Sequence, residues 1–400
     1  MSNNTKKKGE FGSRFGYIMV AAGAAIGLGN IWKFPYLAYR GGGGIFLLTY
    51  IVIIVLMAHP MVEMETAIGR FGKADTVTVF EKINPKWAFV GWIANLCTLL
   101  INMYYVVVGG WVLKYAVHFI LSGEFGDTAV FYNSVISAPV EPIIWFVIFL
   151  AATTFIVYKG VNAGIERMSK VMMPILLVLI ICIAFFSLTL SHTDAEGITR
   201  TGLQGLKVYL IPNFEGMTTS KLLTVVTDAM GQLFYSISVA MGIMITYGSY
   251  VKKETNLNKS VNQIEFFDTM VAFLAGMMII PAVYTFMGRE GMSASGPALM
   301  FVALPKVFGE MGSFIGTAVG ILFFLTVAFA ALTSSVSIME AIVSCAMDKF
   351  HWDRKKSVIA VTALTTVMGI VVCLGYNVLY FEAILPNTPA GKNAQILDVL

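Results

Sequence analysis

The chain has 400 residues, 57% of them hydrophobic and only 12% charged, with a net charge of +4 and a mean hydropathy of +0.78. That much apolar surface excludes a soluble globular domain and points to a polytopic helical membrane protein. The few basic residues sit at helix ends, so nucleic acid is not implied, and Cys97, Cys182, Cys345 and Cys373 stand at unrelated spacings in apolar runs, which suggests neither a disulfide framework nor a zinc site.

In chain order, nine apolar runs are long enough to cross a bilayer at ~20 residues per crossing: 16–39, 44–68, 87–121, 142–158, 171–190, 222–250, 264–287, 312–347 and 357–381. The third, sixth and eighth exceed the bilayer and must tilt or project. The first is too long for a signal-peptide core and has no cleavage site after it, so it is read as a retained span. Lys and Arg cluster in alternate loops (Arg70, Lys73, Lys82 and Lys86; Lys159, Arg167 and Lys170; Lys252, Lys253 and Lys259; Lys349, Arg354, Lys355 and Lys356), whereas 122–141 carries Glu124, Asp127 and Glu141 without a cation. Positive loops stay inside. The expected protein is therefore multi-pass in the plasma (inner) membrane, with a cytoplasmic tail 1–15, spans one to five in 16–190, an extracellular loop 191–221, and later spans in 222–400. An odd number of spans puts 387–400 outside, and 394–400 reads as the approach to another helix.

Two spans carry interruptions. Gly23, Gly27 and Gly29 fall within seven residues of the first and are followed by Asn30. Glycine is costly inside a helix, and freed backbone groups at membrane depth are tolerated where they line a cavity or are buried in protein. The run reads as a helix broken to offer carbonyls to a cation and N–H groups to an anion; glycines packing against a neighbouring helix are the alternative. Five spans later, Ser236 and Ser238 lie between Gly231 and Gly242. Interruptions at corresponding positions of two halves point to a transporter binding site, and an odd shift makes the halves run in opposite directions.

The eighth span places Ala330, Thr333, Ser334 and Ile338 on one helical face, offering a carbonyl, two hydroxyls and an apolar wall, unless the hydroxyls simply bond back to their own helix. Asp268 lies within the seventh span; an ionisable residue there is a functional candidate, the alternative being a position near the cytoplasmic end that reaches water. Glu63 and Glu65 close the second span near Arg70 and read as snorkelling or ion-paired. Tyr104 and Tyr105 have hydroxyls that need partners. His59, His118, His192 and Trp92 read as interface or packing residues. No nucleophile–base constellation or metal cluster appears, so an enzyme is not expected.

Seven segments then occur in a familiar order: GAAIGLGNIWKFPY at 23–36, GGGGIF at 41–46, AIGR at 67–70, GIERMSK at 164–170, GQLFYSIS at 231–238, SGPALMFVALP at 295–305 and LTSSVSIME at 332–340. The chain resembles the neurotransmitter:sodium symporter family, in its bacterial amino-acid branch. The resemblance implies an all-α polytopic membrane protein of the LeuT fold, an inverted repeat of five plus five helices with the first and sixth broken. It implies two sodium ions and no organic cofactor. One sodium set is Ala25, Asn30, Ser236 and Asp268 with the substrate carboxylate; the other is Gly23, Ile26, Ala330, Thr333 and Ser334. The amino-acid substrate would touch Ala25, Gly29, Tyr105, Tyr235, Ser238, Met241, Ser334 and Ile338.

There are three departures from the family pattern. Lys33 replaces the usual outer-gate Arg, which removes bidentate pairing. Tyr235 replaces a common Phe over the substrate. The second repeat stops short of a tenth span, whose acid for the gate would fall just after Leu400; the 400-residue chain alone is expected to transport poorly. Met241 with Tyr235, Ile338 and Ile101 favours a large hydrophobic or aromatic L-amino acid (Trp-, Tyr- or Leu-like). A betaine or glycine-like solute and a transport-inactive receptor or partner subunit are the rivals. Animal members take a chloride ion at positions matching Tyr50, Gln232, Ser236 and a serine where Ala272 stands here. Asp268, one turn away, supplies that negative charge, so the expected transporter is chloride-independent, and the carboxylate could carry a proton on the return step. Bilayer and amino acid are the expected partners; the sequence leaves the oligomeric state open.

Overall fold

The computed structural model describes residues 9–123, 125–291 and 296–382. The expectations for the start of the tail at 1–8, for Glu124, for the first residue of the 295–305 segment and for the shortened tenth span at 383–400 lie outside those residues.

The first span is two helices, α1 (Arg14–Ala25) and α2 (Phe34–Arg40), joined through a π-helical turn Gly29–Lys33 and bent by 54°. The second runs from α3 (Gly44–Ile53) through another π turn into α4 (His59–Gly72), and the short α5 (Thr76–Ile83) leads to the long α6 (Ala88–Leu121). Then come α7 (Thr128–Ser137), α8 (Glu141–Tyr158) and α9 (Arg167–Leu188), followed by a hairpin of β1 (Ser191–Thr193) and β2 (Thr199–Thr201) with α10 (Gly202–Leu210). The sixth span is α11 (Thr219–Ser236) and α12 (Ile243–Tyr250); after it come α13 (Leu257–Gly291), α14 (Leu304–Glu310), α15 (Ser313–Lys349) and α16 (Arg354–Leu374).

Among the described residues, seven helices are long and apolar enough to cross a membrane, and the bent α1–α2 pair makes an eighth. With the broken α11–α12, each expected run has its span. The seventh begins earlier than its apolar run suggests, at Leu257. The ninth ends earlier, at Leu374, because Gly375 closes the helix on Val371 and Val372 and the chain turns at 375–379. The interhelix segments α5, α7, β1–β2, α10 and α14 carry no membrane-length pattern and were not legible as elements.

α1 is buried from Gly16 to Ala25, as a helix apolar on every side must be, with α9, α13 and α15 packed round it. The outward faces of α3, α6, α8 and α16 leave Leu48, Ile93, Phe155 and Val367 exposed, the lipid-facing complement of that core. Two seams position the broken spans. Beyond α2, Gly42 and Gly43 take left-handed φ of +85° and +60°, and this turn docks on the chain after α10: Asn213 N–H donates to the Gly42 carbonyl at 3.0 Å, and a Cβ on Gly43 would lie 2.4 Å from the Val208 carbonyl. Along α4, a Cβ on Gly69 would lie 1.9 Å from the Ile245 carbonyl, and one on Gly248 2.3 Å from that of Thr66, so α4 and α12 touch backbone to backbone. At the end of the bundle that holds Phe11, Glu340 is fully buried; it accepts from Arg354 at 2.5 Å and Tyr250 at 2.8 Å, while Arg354 also donates to the Val157 carbonyl at 2.7 Å. That ion pair ties α8, α12, α15 and α16 together.

Candidate substrate and sodium site

The first break is short. α1 stops at Ala25, and Ile26 is extended (φ −78°, ψ 100°). Helix termini leave backbone groups without partners, and here side chains take them. Gly27 N–H donates to Asn30 Oδ1 at 3.1 Å, and Leu28 N–H to the Tyr105 hydroxyl at 3.2 Å. The Ser334 hydroxyl lies 3.2, 3.2 and 3.0 Å from the carbonyls of Gly23, Ala24 and Ile26. The break therefore faces other groups' polar atoms, not a dry helix contact. Gly29 has its own reason: a Cβ there would meet the Tyr235 ring at 2.5 Å.

The second break, Ile237 to Gly242, is longer and strained. Ser238 and Ala240 have φ of +56° and +65°, followed by Gly242 at +72°; non-glycine residues in that region cost on the order of 1–3 kcal/mol each. Surrounding side chains hold them. Ala240 N–H donates to Glu65 Oε1 at 2.7 Å, and the Thr76 hydroxyl donates to the Gly242 carbonyl at 3.1 Å. The Thr98 hydroxyl donates to the Met241 carbonyl, and that of Ser238 to the Ala24 carbonyl of the first span at 3.3 Å. Glu65 thus departs from the snorkelling or ion-paired expectation: it is 8% exposed and caps a broken helix. Glu63 lies 3.7 Å from the His59 imidazole.

Around these breaks the expected residues converge. Ala25, Gly29, Tyr105, Tyr235, Ser238, Met241, Ser334 and Ile338 all line one cavity, with Asn30 and Ile101 beside them. Lys33 sits above it, its Nζ 5.2 Å from the Tyr235 ring centroid, within cation–π range; the Tyr235 and Tyr104 hydroxyls are 3.4 Å apart.

Two oxygen-rich clusters flank the cavity. In one, Asp268 is fully buried, so it does not reach water. Its Oδ1 accepts from Asn30 Nδ2 and from the Ser236 hydroxyl, both at 2.8 Å. The Asn30 amide thus points its nitrogen at the carboxylate and its oxygen at Gly27; rotating the amide would exchange the two. In the other cluster, Ser334 lies against the carbonyls of Gly23 and Ile26, and Thr333 donates to the Ala330 and Phe329 carbonyls at 3.0 Å each. A Cβ on Gly23 would lie 3.2 Å from Thr333 Cβ, so the two halves of this set meet. The back-bonding alternative for Thr333 is therefore present geometrically, while Ser334 bonds across to the first span. Both clusters offer oxygen donors, which suit a hard cation. Of the chloride-matching positions, Ser236 is bonded to Asp268, Gln232 donates to the Gly29 carbonyl at 3.2 Å, the Tyr50 hydroxyl is buried without a hydrogen-bond partner among the described residues, and Ala272 is buried.

The family model described as the sodium:neurotransmitter symporter family matches residues 8–125 and 131–388. The chain belongs to that family. As a member of the sodium:neurotransmitter symporters it is a sodium-dependent symporter and not an enzyme, a multi-pass membrane protein with the LeuT fold. It is similar to the sodium-dependent transporter YhdH of Bacillus subtilis, 36% identical over 94% of this chain and 80% of the relative. The sodium- and chloride-dependent GABA transporter 2 of Homo sapiens is 26% identical over 92% of this chain and 68% of its own. Among solved structures, MhsT in complex with L-phenylalanine superposes with a TM-score of 0.84 at 36% identity, covering 98% of this chain and 85% of that one. Sequence reasoning missed Glu65, Thr76 and Thr98 as supports of the site. An acid near the end of an apolar run was the available signal for Glu65, and its partner lies 175 residues away.

Proposed function

We propose that this symporter imports a large hydrophobic or aromatic L-amino acid with two sodium ions, independently of chloride, by alternating access. The observation that carries the reading is the buried Asp268 carboxylate, bonded at once to Asn30 of the first broken span and Ser236 of the sixth. Two sodium ions and a zwitterion would leave excess positive charge in a low dielectric; a fixed carboxylate at that point offsets it where Ala272 lacks a hydroxyl. One sodium would lie among Ala25, Asn30, Ser236, Asp268 and the substrate carboxylate. The other would lie among the Gly23, Ile26 and Ala330 carbonyls and the hydroxyls of Thr333 and Ser334. Because both sets join the broken spans to α13 or α15, sodium binding would complete the site and favour the state open to the outside, and substrate would then close it. After sodium leaves, Asp268 is placed to take up a proton.

Met241, Ile101, Ile338 and Tyr235 give the cavity its apolar wall, and the complex of MhsT with L-phenylalanine supports an amino acid of that class. The loop charges support an inner-membrane protein with its N-terminus in the cytoplasm and repeats at 16–190 and 222–400. The test is uptake of labelled Phe, Trp and Leu into proteoliposomes under a sodium gradient, in chloride and in gluconate medium. Wild type should transport equally in both, and Asp268→Ser should require chloride. Wild-type uptake that collapses in gluconate returns Asp268 to a structural role.

A further inference from the structure

We propose that the outer face of this protein carries a binding site for one anionic phospholipid, its phosphate in a basic recess and an acyl chain in the apolar groove beneath. The recess, ≈ 540 Å³, lies where α2 ends and the chain turns toward α3, against the segment after α10. Arg40, Lys207, Lys221 and Arg289 line it, with Glu215 as its one acid. All four cations are exposed. The described ion pairs, such as Arg200–Asp194 and Lys114–Glu141, use none of them.

Their position argues for a ligand. They lie on the same face as the acidic 122–141 loop, opposite the Lys- and Arg-rich loops, where the orientation of membrane proteins disfavours cations. Four cations from α2, α10, α11 and α13, with no ion pair among the described residues, therefore converge on the side where charge bias offers no reason for them.

The second observation is what lies directly beneath. A groove of ≈ 240 Å³ shares Pro212 with the recess and is walled by Leu47, Leu48, Ile51, Leu210 and Phe273. Leu48 and Ile51 are 61% and 52% exposed, so the groove opens to the hydrocarbon. From Gly44 at its mouth to Ile51 the α3 wall descends about 10 Å, at 1.5 Å per residue, along the direction an acyl chain takes. A basic pocket at headgroup depth above an apolar groove matches a lipid with an anionic head. A free anion would leave the groove unused, and an uncharged lipid would leave the four cations unpaired. A lipid seated here would bridge α3 and α13 to the loop that docks on Gly42 and Gly43.

The test uses the purified full chain in detergent, followed by thermal unfolding and native mass spectrometry with added phosphatidylglycerol, phosphatidylcholine or inorganic phosphate. Phosphatidylglycerol should raise the melting temperature and remain bound, whereas phosphatidylcholine and phosphate should do neither. Neutralising Lys207 and Lys221 (Lys207→Gln with Lys221→Gln) should weaken phosphatidylglycerol binding on the order of fivefold per cation. Its melting temperature in phosphatidylcholine should stay unchanged. Leu48→Trp, which fills the groove and leaves the cations in place, should also weaken it and guards against a charge variant that fails to fold. Equal response to both lipids, or stabilisation by inorganic phosphate alone, overturns the proposal.

Discussion

The two broken spans reach the same end by different physics. The first is interrupted over residues 26–28 only; Ile26 and Leu28 keep ordinary negative φ, and the glycines around them let Tyr235 and Ser334 approach. The sixth is interrupted over 237–242, and Ser238 and Ala240 sit in left-handed conformations that only outside support makes tenable. The first break is written into its own residues. The second is imposed by Glu65, Thr76 and Thr98 from three other helices. A break of the first kind should be sensitive to what binds in it, and one of the second kind to what braces it.

The largest effect should come from removing the ligands that α15 offers to the first break. Thr333→Ala with Ser334→Ala deletes two oxygens. If each is worth about 1.5–3 kcal/mol to a bound charge, sodium affinity should fall by roughly 10²–10⁴-fold; sodium titration of substrate binding measures it, and an unchanged affinity removes this set as a sodium site. Next, Glu65→Ala leaves the Ala240 N–H buried without a partner, at about 1–3 kcal/mol. It should lower both melting temperature and substrate affinity, with Glu65→Gln milder because an acceptor oxygen remains. Equal loss in both variants would mean that the charge, not the cap, matters. Met241→Phe should then shift preference away from Trp and toward Leu by about 10-fold or more, in the range a pocket's apolar volume commands; competition binding that leaves the ratio unmoved places Met241 outside the pocket wall. The smallest effect is expected for Ala240→Gly. Relief of its left-handed φ should roughly cancel the usual entropic cost of about 1 kcal/mol, so stability should change little. A full-sized loss would show that the bracing, not the backbone, sets the conformation.

That contrast also explains what could be read in advance. Gly23, Gly27 and Gly29 signal the first break because composition causes it, and the hydroxyl stripe Thr333–Ser334 is a local helical pattern. The sixth span showed its serines and flanking glycines but not Ala240, since nothing about an alanine signals a left-handed φ. Glu65 was misread because an acid at the end of an apolar run has an ordinary explanation; its true partner is a backbone N–H that exists only once α12 is broken away from α11. α5, α10 and the β1–β2 hairpin were invisible for a simpler reason: membrane length is a strong signal, and elements of three to nine residues carry none.

The glycine seam between α4 and α12 has a mechanical consequence. With Gly69 against the Ile245 carbonyl and Gly248 against that of Thr66, there is no side-chain layer on which the two helices could slip. The second half of the sixth span, α12, and the second span therefore form a single slab, and because Glu65 stands on that slab, the strained corner it holds travels with it. Whatever rearrangement carries a solute through this protein has fewer independent parts than the count of helices suggests.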